Sequence, residues 1–158
     1  RGNEAVREAA AVDEGALHVE VVAFPQDGAL RRPGVLDLLH DAARAGAEHV
    51  GGLDPATIDR DPVGQVDAVL GLAAEHGVGV DLHLHDGGAL GAFQIELIVE
   101  RTLRTGLQGK VNVAPGLAAG ELAPSQQPAQ VAATAEGGVG MTAAVPLGAA
   151  SSVASVDT

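Results

Sequence analysis

A chain of 158 residues with 46% hydrophobic content is sized for one ordinary domain, or part of one, and can build a core. Nine basic against 21 acidic residues give a formal charge of −12, which repels phosphate backbones and anionic lipid, so nucleic acid is not an expected partner. There is no Cys and no run of about 18 apolar residues, which removes disulfide and thiolate chemistry and a membrane-spanning helix.

The chain opens on RGNEAVREAA, which has neither the apolar core nor the cleavage region of a signal peptide, and the cytoplasm is the expected location. Its first residue is Arg1 rather than Met, which suggests a piece of something longer. With two Phe and no Trp or Tyr, the core is expected to consist of Ala, Val and Leu.

Strand signals begin at His18 (HVEVVAFP), His49 (HVGGLDP), Val78 (VGVDLHLHD), Lys110 (KVNVAP) and Val139 (VGMTAAVP), with spacings of 31, 29, 32 and 29 residues. Helical patterns separate them. In the first, Pro33 suits an initial turn, Leu36, Leu39 and Ala43 share a face, and Gly46 suits the stop. The second has Asp61 as cap, Pro62 in the first turn, Val66, Val69 and Ala73 as the buried stripe, and Gly77 at its end. The third, over residues 91–105, is expected to bury Phe93, Leu97 and Leu103, with Glu100 and Arg104 paired on the wet side. Residues 114–138 are poorly specified, with a helix expected over 125–136, and the tail AASSVASVDT has no clear periodicity.

Crossovers of this kind predict parallel strands, in an open doubly wound sheet or in part of an eight-stranded barrel, which needs about 250 residues when complete. No GxGxxG, Walker loop or GxSxG elbow is present, so any chemistry must come from the strand ends. In VGVDLHLHDGG, alternation sends Val80, Leu82 and Leu84 to one face and Asp81, His83 and His85 to the other. Two histidines at i and i+2 fit a metal or proton-transfer site, with hydrogen-bonded interior residues as the alternative. Gln26 offers an amide donor and acceptor for the edge of a planar ring, or a polar turn before Gly28. Asp54, before Pro55, fits a turn or helix start better than a ligand. His18, His40, His49 and His76 share no pattern with ionisable neighbours and are expected to be structural or solvated.

Together, VVAFPQDG, AGAEHVGGLDPA, GVDLHLHDGGALGAFQIELI and LQGKVNV, in that order, resemble the middle of the amidohydrolase superfamily in its cytosine deaminase-like branch. The resemblance covers residues 19–113 and, faintly, AVPLG near residue 147. It implies a partial TIM (β/α)8 barrel over residues 1–158, hydrolysing a C–N bond of a small cyclic amide or amidine such as cytosine with a divalent metal, zinc or iron. It also implies His83 as a metal ligand, joined by His85, with Asp86 where the family commonly has a proton-shuttling glutamate and Gln26 against the pyrimidine edge. These residue types suit such roles, since neutral imidazole binds zinc or iron and a nearby carboxylate can carry a proton.

The pattern also departs from the family. Its H-x-H pair would precede Arg1, its eighth-strand aspartate would follow Thr158, and Ala114 and Pro115 stand where another ligand is expected. A truncated, weakly active or inactive amidohydrolase is therefore one expectation. Another is a non-catalytic binding or oligomerisation module, whose open sheet edges would pair with a second copy or a complementing chain.

Overall fold

Five short strands form one sheet in the order β1-β2-β3-β4-β5, and each neighbouring pair is parallel. The structure is a computed structural model, and it describes residues 2–11 and 18–142. The strands are β1 (Val22–Ala23), β2 (His49–Leu53), β3 (Gly79–His83), β4 (Val111–Ala114) and β5 (Val139–Met141). The helices are α1 (Gly2–Ala11), α2 (Val35–Arg44), α3 (Pro62–His76), α4 (Gly88–Thr105), α5 (Leu117–Glu121) and α6 (Gln127–Glu136), and a π-turn (Pro55–Asp59) follows β2.

Sequential parallel strands joined by right-handed crossovers put every crossover helix on one side of the sheet, as in part of a (β/α)8 barrel. The core lies between these layers. Val50, Val80, Leu82, Leu84, Val111 and Val113 from the sheet region pack with Val66, Val69, Leu70, Ile95 and Ile98 from α3 and α4. Apart from Ile95 and Ile98, its residues are Ala, Val and Leu, and neither Phe is buried.

The second crossover follows its sequence signals closely. The Asp61 side chain accepts from the Gly64 N–H at 2.8 Å, Pro62 opens α3, and Gly77 closes it with φ 71°. Val66, Val69 and Ala73 are fully buried.

Elsewhere the expectations need correction. Helix α2 starts at Val35 behind Gly34, whose φ of 83° places it in the left-handed region, so Pro33 lies outside the helix. In α4 Leu97 is buried as expected, but Phe93 and Leu103 are 48% and 49% exposed, and the inward stripe is completed by Gly91, Gln94, Ile95, Ile98 and Thr102. Two polar side chains sit in that inward stripe. Gln94 bonds elsewhere in the fold and the Thr102 hydroxyl donates to the Ile98 carbonyl at 2.7 Å, so burial leaves neither unsatisfied. Glu100 and Arg104 do pair one turn apart. Helices α1 and α5 were not expected from the pattern, and the weakly specified last helix is α6, starting two residues late. AVPLG and the tail AASSVASVDT lie outside the described residues.

At the foot of the sheet, Glu48 joins three segments. Its carboxylate accepts from the Val21 N–H at 2.8 Å and from the Arg7 guanidinium at 2.6 Å. The Val21 hydrogen bond, with help from Arg7, holds the carboxyl below its usual range. A depressed folded-state value means that stability is present above the unfolded pKa, near 4.5, and is lost as pH falls through the lower folded value. Glu48→Gln is therefore expected to flatten the acid limb of a stability-versus-pH curve below about pH 4.5. Identical acid limbs in urea titrations of the two proteins would remove this role.

Candidate active site

The C-terminal end of β3 gathers the candidate chemistry. Val80, Leu82 and Leu84 are all at most 1% exposed and face the helices, so alternation turns Asp81 and His83 to the opposite face, which in a barrel is the interior. His83 packs edge-on against Phe24 from the end of β1, with ring centroids 4.9 Å apart at 80°. Its Nδ1 is buried and has no hydrogen-bond partner. A buried imidazole nitrogen without a partner is uncommon, because leaving it unpaired costs about 1–3 kcal/mol. One layer lower, Asn112 donates to Asp81 at 2.7 Å and accepts from Thr142 at 3.1 Å, so that polar row is internally satisfied.

Strand register brings β2 to the same place. Leu53 pairs with His83, and the Asp54 N–H donates to the His83 carbonyl at 2.9 Å. Asp54 adopts φ 35°, ψ 71°, a left-handed conformation that Asp tolerates better than most residues. The turn aims its carboxylate at His85, where one oxygen accepts the backbone N–H at 2.6 Å and the other lies 2.9 Å from Nδ1. This contact assigns the Nδ1–H tautomer to His85 and leaves its Nε2 lone pair free on a half-exposed ring. Asp54 is thus more than the turn residue that its sequence context suggests.

Asp86 is held from two other elements. Thr57 of the π-turn donates its hydroxyl to one carboxylate oxygen, and the buried Gln94 of α4 donates to the other at 3.0 Å. Gln94 also accepts from the Ala56 N–H at 3.1 Å, so one amide ties the π-turn to Asp86. The carboxylate is oriented by neutral donors alone. Gln26 occupies the turn after β1 and is exposed, next to Asp27, which pairs with Arg32 at 2.8 Å.

Of the residues that the sequence singles out, the His83 and His85 rings lie 6.0 Å apart, Asp86 follows them in the chain and is held by Thr57 and Gln94, and Gln26 lies on the β1 turn. The sequence does not show the residues that hold His85 and Asp86, namely Asp54, Thr57 and Gln94, because their contacts span 29 to 31 positions or cross to another element. The four other histidines, expected to be structural or solvated, do have ionisable neighbours in space, which their sequence pattern does not show. His49 and His18 bond Glu20 at 2.7 and 3.2 Å, and these two bonds, His49 first, hold its carboxyl below the usual range. His40 bonds His76 at 2.8 Å. At the strand ends, among the described residues, no three ligand atoms converge closely enough to hold a metal.

Comparison with known proteins places this arrangement. Over 108 residues the chain is 34% identical to the N-isopropylammelide isopropyl amidohydrolase of Pseudomonas sp. (strain ADP), matching 68% of this chain and 27% of that protein. The crystal structure of N-isopropylammelide isopropylaminohydrolase from Burkholderia multivorans superposes with a TM-score of 0.83 at 43% identity, over 87% of this chain and 35% of that one. The chain is part of an amidohydrolase-superfamily barrel. A further superfamily structure, 5-methylcytosine deaminase from Klebsiella pneumoniae liganded with phosphonocytosine, superposes at TM-score 0.69 and 26% identity, again over 34% of its length. No protein-family profile matches the chain. The five parallel strands and their helices are therefore a segment of the superfamily's (β/α)8 barrel, spanning about a third of the solved relatives. Among the described residues no helix is long and apolar enough to cross a membrane.

Proposed function

We propose that this chain supplies the central strands of a metal-dependent amidohydrolase that cleaves a C–N bond of a small cyclic amide or amidine, a ring such as cytosine. The observation that carries this is the His83 imidazole, on the inner face at the C-terminal end of a barrel strand, with a buried nitrogen that no protein group satisfies. Barrel enzymes place their chemistry at that end.

The donor set fits a zinc or iron ion in part. Imidazole is a suitable ligand, but a catalytic zinc needs about three protein ligands, and at this strand end His83 Nδ1 and His85 Nε2 are the imidazole nitrogens that stand free. When bound, such an ion supplies a polarised, more acidic water. The remaining steps fall to the chain's own side chains. Asp86, fixed by Thr57 and Gln94, accepts a proton and returns it to the departing amine; its oxygens are already oriented, so little ordering is needed at the moment of transfer. His85 offers the Nε2 lone pair left by its bond to Asp54, to a metal or to a proton. Gln26 would read the N–H and C=O edge of the ring from the β1 turn.

Strands β1 and β5 each pair on one side only among the described residues. The rest of the barrel, in the same or a complementing chain, would close both edges and bring the missing ligands. The 158-residue chain by itself is proposed to be weakly active or inactive, because Ala114 and Pro115 end β4 without a ligating side chain.

The test is residue-resolved. Zinc titrated into the 15N-labelled chain is expected to shift the imidazole nitrogens assigned to His83 by their loss in His83→Ala. Resonances of His83 that stay in place at millimolar zinc would overturn its role as a ligand.

A further inference from the structure

A second group of ligating side chains lies away from the strand ends, where α2 packs on α3. His40 of α2 and His76 in the last turn of α3 face each other, Nδ1 to Nε2, at 2.8 Å, with ring centroids 5.1 Å apart at 72°. Both rings are half-buried, His76 with 14% of its side chain exposed, and the exposed Glu75 carboxylate lies 3.8 Å from His76 Nε2. All three ligand atoms fall within 4.8 Å of one another, and no other group of three among the described residues does so.

The 2.8 Å contact needs a single shared proton: one imidazole donates it, and the other offers a lone pair. Two neutral rings aimed nitrogen to nitrogen are a preformed two-nitrogen chelate: when the donor ring carries its proton on its other nitrogen, both facing lone pairs are open to a metal ion. We propose that His40, Glu75 and His76 form a site for a divalent transition-metal ion of the zinc type, clamping α2 to α3 on the outer face of the barrel.

Two imidazoles and one carboxylate match the preferences of zinc, cobalt and nickel better than those of magnesium or calcium. The fit requires small movements. Zinc–nitrogen bonds of about 2.1 Å at a tetrahedral angle put the two nitrogens about 3.4 Å apart. The rings must therefore part by roughly half an ångström and the carboxylate approach by a similar amount, within ordinary side-chain adjustment at a helix end. A water completes the four ligands. The site also sits at the C-terminus of α3, where the helix dipole favours a cation. Lys110 donates to the Gly77 carbonyl beside it at 3.2 Å, and Arg44 is engaged by Asp41 at 3.1 Å, so each of these cations has another partner.

This inference is independent of the strand-end chemistry, and its test is arranged to keep the two apart. Cobalt, as a spectroscopic stand-in for zinc, is titrated into the full chain carrying His83→Ala. Saturable one-to-one binding with the visible absorption of a tetrahedral cobalt centre is expected, with zinc displacing it. Adding His40→Ala or His76→Ala should abolish the band. Glu75→Ala, on an exposed side chain that cannot disturb the core, should weaken binding about tenfold or more. A His83→Ala chain that binds no cobalt, or binding that Glu75→Ala and His40→Ala leave unchanged in folded protein, would overturn the proposal.

Discussion

Truncating Leu82 to Ala is expected to remove about 3–5 kcal/mol of unfolding free energy, a large share of the 5–15 kcal/mol typical of a domain. Leu82 is fully buried at the centre of β3, between β2 and β4, and its side chain reaches the helical layer. The cost lies at the upper end because the site cannot collapse. The core it belongs to is made of Ala, Val, Leu and Ile, many of them stiff or short, and neither Phe lies in it to fill a void. Leu38→Ala is the control, since that side chain is 67% exposed and should change stability by less than about 0.5 kcal/mol. With no Trp or Tyr to report by fluorescence, urea unfolding is followed by circular dichroism. A gap of less than about 1 kcal/mol between the two variants would show that the core is looser than its burial indicates.

The same core explains why much of the architecture is legible in the residues. A repeat near 30 positions, strands marked by Val-rich runs, and the Asp61–Pro62 start with the Gly77 stop are local signals, and local physics obeys them. The inward face of α4 was misplaced for an equally physical reason. Hydropathy looks for apolar stripes, whereas this helix turns Gln94 and Thr102 inward and leaves Phe93 out, because Gln94 is needed under Asp86 and against the π-turn. A short element also escapes: α5 spans only five residues.

For the site, the residues that would do chemistry sit in one run, His83 to Asp86, and alternation assigns their faces. The residues that orient them do not sit in that run. Asp54 reaches His85 only because Leu53 pairs with His83, and a register is a property of two strands that neither segment displays alone. The His40–His76 contact, 36 positions apart across two helices, is invisible for the same reason.

Asp59 carries the second large effect, and it joins stability to the site. Its Oδ2 accepts from the Ala29 N–H at 2.9 Å, the Leu30 N–H at 3.1 Å and the fully buried Gln65 amide at 2.6 Å. One carboxylate oxygen thereby fastens the loop that follows Gln26 to the end of the π-turn, where Asp54 just before the turn and Thr57 within it orient His85 and Asp86. Asp59→Ala leaves two backbone donors unpaired and the buried Gln65 amide with only the Leu53 carbonyl as acceptor, which is expected to cost about 3 kcal/mol. Asp59→Asn keeps the shape and one acceptor, and should cost about half as much, since bonds to a charged acceptor are roughly twice as strong as neutral ones. Neighbouring Gly28, at φ 95°, lies so close to this carboxylate that a Cβ there would clash with it, so the clamp leaves room only for glycine at that position. Hydrogen exchange separates a local effect from a global one. Faster exchange confined to the Ala29 and Leu30 amides and the π-turn in Asp59→Asn would show that the clamp holds the mouth of the barrel, whereas uniform acceleration over β2 to β4 would assign Asp59 to the core alone.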